Sequence, residues 1–210
     1  FYDFPISNSL RFEDGDSATL SRTPGSASNR DTWTWSAWVK GADASLQTLF
    51  SGGTGSGNDT FNFRIDAGQI SQNNGSAALR ATTALFRDFS AWYHIVLAVD
   101  TTQSTDTNRL KLYVNGSLIT VFSTSNIPAQ NTDLGVNQAA LHTIGRRANA
   151  TDRYLNGYLA EVNFIDGSQL TPSSFGETKN DIWIPKNTSG LTFGTNGFRL
   201  QFKQTGTGTA

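Results

Sequence analysis

Cysteine is absent from the 210 residues of this sequence. Its absence excludes disulfide bonds, zinc–thiolate sites and catalysis by a thiol. Histidine is almost as scarce, because only His94 and His142 are present. Two histidines on separate predicted strands do not support a histidine-rich metal site or a catalytic triad. A chain of this length buries about 70% of its unfolded surface, so its core needs no cross-link.

Charged residues are also scarce. They make up 16% of the sequence and leave a net charge of −1, whereas soluble domains usually contain about 25%. Neither sign forms a block, so nucleic acid and anionic membranes are not expected partners. No apolar run approaches the roughly 20 residues of a membrane span, so we expect no membrane insertion. The remaining surface is rich in Ser, Thr, Asn, Gln and Gly, which suits carbohydrate contact and crowded protein assemblies equally.

Alternation of apolar and polar residues with a period of two is the dominant pattern, and it predicts β-strands rather than helices. In residues 32–40, Trp33 and Trp35 share one face of a strand while Trp38 lies on the other face. Similar alternation occurs in several later segments. The apolar positions predict a core that contains Trp33, Trp35, Phe61, Phe63, Ile95, Leu97, Leu112, Val162 and Phe164.

Turn signals separate these runs. Asn115-Gly116 suits the positive φ angles of a type I′ hairpin turn, and Asp66-Ala67-Gly68 predicts a second hairpin. Thr171 and Pro172 are typical of the N-cap and first position of a single helical turn. About a dozen short antiparallel strands in one chain indicate two packed sheets. Long polar loops are predicted at residues 51–60, 101–108 and 123–140.

Four ordered motifs resemble the laminin-G-like and pentraxin branch of the concanavalin A-like superfamily. The motifs are SLRF with TWSAWVK (residues 9–12 and 34–40), WYHIVLAVD with LKLYVNG (92–100 and 110–116), HTIGR (142–146), and YLNGYLAEV (154–162). The resemblance covers about residues 8–170. It implies an all-β fold, a two-sheet antiparallel jelly-roll sandwich with its terminal strands close together.

Two further segments, YLAEVNFIDGSQLTPSSFGE (158–177) and FGTNGFRLQF (193–202), resemble laminin-G-type domains of tail-fibre and other virion proteins of tailed bacteriophages. This resemblance implies a virion or extracellular location. We expect a single sandwich domain over residues 1–204. The closing TGTGTA is typical of a flexible linker, so we expect residues 205–210 to lead into a longer polypeptide.

Hydrolysis requires acidic residues that the predicted strands do not supply together. A retaining glycosidase holds two carboxyl groups about 5 Å apart, and on this fold they stand on alternate residues of one strand. Strict alternation places Glu161, Asn163 and Ile165 on one face, with Asp166 on the other. We therefore predict that the protein is not an enzyme, and that Glu161 takes hydrogen bonds from an Arg or from the backbone.

Calcium is the metal that the resemblance implies, because laminin-G-like domains often hold one calcium ion at the rim of the sandwich. Oxygen-rich loops supply the hard ligands that calcium prefers. Asp59 and Asp152 lie in two such loops and are the predicted metal ligands. The alternative is that both are solvated loop acids.

A sugar site is predicted beside these ligands. An aromatic ring that stacks on a pyranose, flanked by polar groups, is a common arrangement for sugar binding. Tyr154 with Asn58, Arg147 and Asp152 would provide it, if residues 51–60 and 146–154 meet at one end of the sandwich. The alternative is that Tyr154 packs over a sheet end. Trp38 is the tryptophan of its strand that we expect to be the most exposed, unless a loop covers it.

These observations favour a non-catalytic carbohydrate-recognition or adhesion module of a virion protein of the tail-fibre type. The alternative is a purely structural decoration or assembly domain, and a glycan hydrolase is the third reading. The expected partners are a cell-surface glycan or other virion subunits, and a homo-oligomer is compatible with either. An exposed aromatic among polar residues would favour binding, whereas large apolar patches would favour assembly.

Overall fold

Strands account for almost all regular structure of the chain. The computed structural model describes residues 4–75 and 77–204. The linker predicted for residues 205–210 lies outside these residues. The strands are β1 (Leu10–Phe12), β2 (Leu20–Arg22), β3 (Thr32–Gly41), β4 (Gln47–Gly52), β5 (Phe61–Asp66), β6 (Gln69–Asn74), β7 (Ala77–Thr82), β8 (Tyr93–Asp100), β9 (Leu110–Val114), β10 (Ser117–Leu118), β11 (Phe122–Ser125), β12 (His142–Ile144), β13 (Gly157–Asp166), β14 (Gly176–Lys179), β15 (Ile182–Pro185) and β16 (Phe198–Leu200).

Helical structure in the described part of the chain is limited to three 3₁₀ turns, Gly57–Asp59, Asp106–Asn108 and Pro172–Ser174. Thr171 is the N-cap of the third turn and Pro172 lies in its first positions, as the sequence predicted. Among the described residues, no helix has the length and apolar character needed to cross a membrane.

Two seven-stranded sheets form the sandwich. Sheet I has the order β1-β13-β3-β8-β9-β10, and β16 also pairs with β13. Sheet II has the order β11-β7-β6-β5-β4-β12-β2. All strand pairs among the described residues are antiparallel. The two-sheet antiparallel sandwich is thereby confirmed, and β1 and β16 both lie beside β13, so the terminal strands are close together.

The core lies between the two sheets and contains the side chains that the alternating pattern predicted to be buried. Trp33 contacts Phe61 edge to face, with ring centroids 5.1 Å apart. Trp35 meets Phe63 in the same way at 5.3 Å. All nine residues predicted for the core are buried, with at most 2% of each exposed. Burial of such side chains supplies about 1.5–3 kcal/mol each and is the dominant stabilising term.

Two hairpin turns have the predicted geometry. Asn115 and Gly116 have φ angles of 47° and 81°, and Ala67 and Gly68 have 49° and 86°. The loop predicted for residues 123–140 is partly wrong, because its first residues belong to β11, which pairs with β7. This pairing partner comes from a distant part of the chain and has no local signal in the sequence.

A third, two-stranded sheet covers part of the outer face of sheet I. Strands β14 and β15 form this hairpin. Its Trp183 ring stacks on the ring of His94 at 5.8 Å. Phe175, just before β14, packs with Val96 and Ile165 in a small apolar cluster. The hairpin therefore covers the outer face near β8 and β13 and leaves another part of that face open.

Strand β13 contains a bulge that the alternation missed. The register with β3 shifts between Ala160 and Asn163, and Glu161 has a positive φ of 46°. Glu161 nevertheless lies on the face of Asn163, as predicted, because its carboxylate bonds to Arg199, which is opposite Asn163 in the register with β16.

Candidate functional site

Asp152 and Arg147 lie together, as predicted. The guanidinium of Arg147 donates two hydrogen bonds to the Asp152 carboxylate, from Nε and Nη2, each at 2.6 Å. These bonds lower the pKa of Asp152 below its ordinary value. Tyr154 follows in the same loop and is half-buried. This bidentate pair orders the loop and leaves the carboxylate already matched by a positive charge.

Asn58 and Asp59 are exposed on a different loop and have other partners. The Asn74 side chain donates to Oδ1 of Asn58 at 2.6 Å. Arg30 donates from Nη2 to Oδ1 of Asp59 at 3.0 Å. Gln138 donates to the backbone oxygen of Asp59 at 2.7 Å. These contacts tie the loop to the end of the sandwich where β4 finishes and β5 starts.

Residues 51–60 and 146–154 meet at Ser51, but the predicted approach of Asp59 to Asp152 is wrong. Strand β12 is antiparallel to β4, with His142 opposite Gly52 and Ile144 opposite Phe50. The chain after β12 therefore runs towards the start of β4, and Thr48 donates its backbone N–H to the carbonyl of Arg153. Residues 53–60 instead follow the other end of β4. Ala148 does reach back to the Ser51 hydroxyl at 2.9 Å, but the two aspartates remain apart.

Asp59 and Asp152 consequently do not fit a shared calcium site. Each carboxylate is paired with its own arginine, and a cation at either would compete with that arginine. Within residues 4–75 and 77–204, no group of three or more His, Cys, Asp or Glu side chains is arranged to hold a metal ion. Calcium binding elsewhere on this chain stays a prediction.

A groove on the uncovered part of sheet I brings together aromatic residues from β3, from β13 and from the residue just before β8. Register pairs Ala160 with Trp38 and Tyr158 with Lys40, so the outward side chains of β13 and β3 lie side by side. Trp92 immediately precedes β8, and its ring meets that of Tyr158 at 6.4 Å. We name the surface formed by Trp38, Trp92 and Tyr158 the aromatic groove.

The segment before β1 forms the opposite wall of this groove. A cavity of about 270 Å³ is lined by residues 6–9 together with Trp38, Trp92 and Ala160. Trp92 is 37% exposed. Trp38 is half-buried because the segment 6–9 covers it. This segment is the covering loop that the sequence analysis named as the exception to an exposed Trp38. The cavity thus has apolar rings on one side and an extended polar chain on the other.

Polar groups surround the rings. Arg11 lies over the Tyr158 ring at 5.0 Å and donates to its hydroxyl at 3.3 Å. Within the described part of the chain, the side chains of Ser7, Asn8 and Ser9 make no hydrogen bond to other residues. Their donors and acceptors are therefore free to bind a polar ligand that rests on the rings.

Glu161, which follows the groove residue Ala160 in β13, is not arranged for hydrolysis. Glu161 is 7% exposed, and its carboxylate accepts a hydrogen bond from Nε of Arg199 at 2.8 Å. Gln201 donates to its other oxygen at 3.4 Å. The expected hydrogen bond from an arginine is confirmed. Both oxygens of this buried carboxylate are thus bonded to neighbouring side chains.

The ring nitrogens of both histidines also have hydrogen-bond partners. His142 donates from Nδ1 to the carbonyl of Ala140, and its Nε2 accepts from the backbone N–H of Asn137. Burial lowers the pKa of His142, and it lowers the pKa of His94 to about 3. Both rings are therefore neutral and buried on their strands.

Sequence reasoning missed most of the aromatic groove. It placed Trp38 on the outer face but gave no role to Trp92 or Tyr158. The alternation did indicate that Tyr158 points outward, because it precedes the inward-facing Leu159 of β13. Nothing in the sequence shows that β13, β3 and β8 are neighbours, and this adjacency is what assembles the three rings.

Comparisons with known proteins agree with this architecture. A family model described as the Concanavalin A-like lectin/glucanases superfamily matches residues 12–174. No curated protein sequence matches the chain significantly. Among solved structures, a heptameric SAP-like pentraxin from Limulus polyphemus has a TM-score of 0.53 at 16% identity, covering 73% of this chain and 71% of the pentraxin.

Two further structures share only part of their length with this chain. Mouse laminin alpha1 domains LG4-5 give a TM-score of 0.53 at 11% identity, and the match covers 78% of this chain and 43% of that one. A proposed carbohydrate-binding protein from Bacteroides ovatus gives 0.50 at 17% identity, with 78% and 44% covered. At these identities the matches establish the fold alone.

Proposed function

The chain belongs to the concanavalin A-like lectin/glucanases superfamily, and from this premise we propose that it is a non-catalytic carbohydrate-recognition module. The observation that carries the proposal is the aromatic groove. A pyranose has an apolar C–H face and a polar rim, so it requires a ring to stack on and hydrogen-bonding groups around it. Trp92 supplies an exposed ring, and Asn8 with its two serine neighbours supplies the polar groups.

The size of the cavity supports a short glycan. Its volume of about 270 Å³ is near the lower limit of the roughly 300–1,000 Å³ of typical ligand pockets. The groove would therefore hold one sugar ring, with adjoining residues of the glycan resting on the surface near Tyr158 and Arg11.

A glycan array, run with and without a chelator, tests the proposal. Wild-type protein should retain defined glycans in both conditions, since none of the groove residues is a carboxylate. Trp92→Ala should weaken binding roughly thirtyfold, the effect of removing an aromatic anchor worth about 2 kcal/mol. Leu118→Ala is the matched control, because Leu118 is 48% exposed at the far edge of sheet I.

A second variant separates this groove from the site that the sequence predicted. Tyr154→Ala removes the aromatic ring of the site that the sequence predicted with Arg147 and Asp152, and it should leave glycan affinity unchanged. If Tyr154→Ala abolishes binding and Trp92→Ala does not, the ligand lies at the Arg147–Asp152 loop and the groove assignment is wrong.

More specifically, we propose that the chain is an adhesion module in a virion protein of the tail-fibre type. This proposal rests on the resemblance of residues 158–177 and 193–202 to domains of phage virion proteins. Its expected partners are then a cell-surface glycan and neighbouring virion subunits. An antibody against the purified domain should label intact particles of the phage whose genome encodes the chain. Absence of the chain from purified particles would refute the virion role without affecting glycan binding.

One observation favours the alternative of an assembly domain. Leu118 at the end of β10 is 48% exposed, and Val121 in the connection to β11 is 65% exposed. Leu85 is exposed near Val121, whose carbonyl accepts from the backbone N–H of Thr83. A subunit contact there would cover apolar surface. Light scattering distinguishes the cases, because a Val121→Asp variant would dissociate an assembly that depends on this corner.

A further inference from the structure

Two arginines lie side by side on the outer face of sheet II. Phe63 packs in the core against Trp35, so the next residue of β5, Arg64, lies on the outer face. Thr48 of β4 is opposite Arg64 in the register, and the backbone N–H of Thr48 donates to the carbonyl of Arg153 at 2.9 Å. The loop after β12 therefore places Arg153 beside Arg64. We name Arg64 and Arg153 the arginine pair.

Arg153 differs from every other arginine of residues 4–75 and 77–204. Its guanidinium makes no hydrogen bond, ion pair or ring contact with a described residue, whereas each of the others makes at least one. The side chain is half-buried, and all three of its guanidinium nitrogens reach the surface. Its backbone has a left-handed φ of 55°, which a non-glycine residue seldom adopts unless its surroundings hold it there. The loop thus holds an unpaired cation beside β4.

Arg64 also lacks a counter-charge. Its Nη2 donates to Oδ1 of Asn73, which is neutral. Its Nε is buried without an acceptor, whereas its Nη1 reaches the surface and has no partner in the described part of the chain. Neither Asp66, two residues further along β5, nor Asp152, the neighbour of Arg153, forms an ion pair with either member of the arginine pair among the described residues.

The charges at this site are poorly compensated. Burial lowers the pKa of Arg64 to about 10, and the nearby charges of Arg153 and Arg147 act in the same direction. Asp66 offsets only part of this effect, and Asp152 already neutralises Arg147. A partly buried guanidinium costs free energy unless an anion accompanies it. An anion that contacts both members of the arginine pair would therefore be stabilised.

The free donors favour an anion with more than two oxygens. Arg153 offers the five N–H groups of its guanidinium, and Nη1 of Arg64 offers two more. A carboxylate has two oxygens and a single charge, which one guanidinium can match in a bidentate pair. A tetrahedral dianion has enough oxygens to accept from both guanidinium groups, and its charge equals that of the arginine pair with the opposite sign.

We propose that the arginine pair is a binding site for a doubly charged tetrahedral oxyanion, a sulfate or phosphate group, either free or at the end of a small ligand. Both guanidinium groups donate to its oxygens. The site lies on the outer face of sheet II, whereas the aromatic groove lies on the outer face of sheet I. Failure of either site would therefore leave the proposal for the other unaffected.

Sulfate is the probe, and chloride at the same ionic strength is its control, because the two salts then screen charges equally. The amide NMR signals around Arg153 should shift saturably with sulfate and should not saturate with chloride. Acetate should bind at least roughly tenfold more weakly, since it lacks the second charge. Absence of saturable sulfate binding would overturn the site, and acetate binding as tight as that of sulfate would overturn the choice of a dianion.

A comparison of inorganic phosphate with methyl phosphate at pH 8 identifies the form of the ligand. Binding of both supports a ligand that carries the group, and binding of the inorganic ion alone supports a free anion. Binding of neither would overturn phosphate as a ligand and leave sulfate.

Charge-removing variants locate the binding. Arg153→Gln should weaken sulfate binding at least roughly tenfold, and Arg64→Gln should do the same if the first variant fails to fold. Lys186→Gln removes the same charge at an exposed position just after β15, on the hairpin that covers sheet I, and should leave sulfate affinity unchanged. Unaltered affinity in folded Arg153→Gln would overturn the proposal.

Thermal unfolding provides an independent measurement. Sulfate stabilises most proteins by its exclusion from their surfaces, so the comparison is between variants at one sulfate concentration. Sulfate should raise the melting temperature of the wild type and of Lys186→Gln more than that of Arg153→Gln, because only a bound anion adds to the general effect. An equal rise in all three proteins would contradict the site.

Discussion

Trp183 donates its indole N–H to Nδ1 of His94 at a distance of 3.0 Å. The other ring nitrogen, Nε2, lies 2.9 Å from the Ser36 hydroxyl. Since Nδ1 accepts, Nε2 carries the proton and donates to Ser36. The groups packed around the ring, including Trp38 and Phe175, are uncharged. The covering hairpin thus holds a neutral histidine on the outer face of sheet I.

The first prediction concerns the pH dependence of stability. Burial lowers the pKa of His94 from 6.5 to about 3. Between these values the unfolded chain binds a proton that the folded chain does not. The free energy of unfolding therefore falls as the pH drops below 6.5, by about 1.4 kcal/mol per pH unit.

Urea unfolding at pH 7.5 and pH 5 measures this effect. His94→Gln should lose less stability than the wild type over this interval. His142→Gln should also flatten the dependence, because burial lowers the pKa of His142 too. The interpretation fails if both variants show the wild-type slope. Hydrogen bonds lower the pKa of Asp43, Asp100 and Asp152, so these three carboxylates stay ionised at pH 5 and contribute little to this slope.

The second prediction concerns the buried pair at the bulge of β13. The side chains of Glu161 and Arg199 are only 9% and 11% exposed. Glu161→Gln should reduce the free energy of unfolding by about 3–5 kcal/mol, because it leaves a buried guanidinium without its counter-charge. The variant should have no effect on glycan binding.

A double-mutant cycle checks this pair. Glu161→Gln combined with Arg199→Gln should cost less than the sum of the single variants, because the double variant leaves no unpaired charge. Simple additivity would contradict the pairing. Turnover of a β-glucan that disappears in Glu161→Gln would instead show that the protein is an enzyme.

The third prediction contrasts two tryptophans. Trp35 is fully buried between the sheets, so Trp35→Ala should cost about 3–5 kcal/mol in the free energy of unfolding. Trp92 is 37% exposed, so Trp92→Ala should cost clearly less. Thermal and urea unfolding of both variants measure the difference. A Trp92→Ala loss as large as that of Trp35→Ala would mean that Trp92 serves stability rather than binding.

The fourth prediction concerns calcium. Arg30 and Arg147 already neutralise Asp59 and Asp152. We therefore expect any difference in melting temperature between calcium and a chelator to be the same in the wild type, Asp59→Ala and Asp152→Ala. A calcium-dependent rise that Asp59→Ala or Asp152→Ala abolishes would contradict this expectation and restore these aspartates as ligands.

Local patterns predicted much of the fold because their causes are local. The period of two along β8 reflects side chains that alternate between faces of one strand. The Asn115-Gly116 turn forms because these two residues accept positive φ angles. The bulge at Glu161 was not predicted, because the positive backbone φ of this residue has no local signal in the sequence, and its carboxylate is bonded to Arg199 of a distant strand.

The sequence by itself determined the strand class, the core side chains and the absence of thiol chemistry, because each follows from residue type and short-range spacing. Only the tertiary structure decided which loops meet. Asp59 and Asp152 lie at opposite ends of β4 because β12 runs antiparallel to it. Trp38, Trp92 and Tyr158 form one groove because β13, β3 and β8 are neighbours in sheet I. Strand order depends on contacts between distant segments, and no local pattern of residues encodes it.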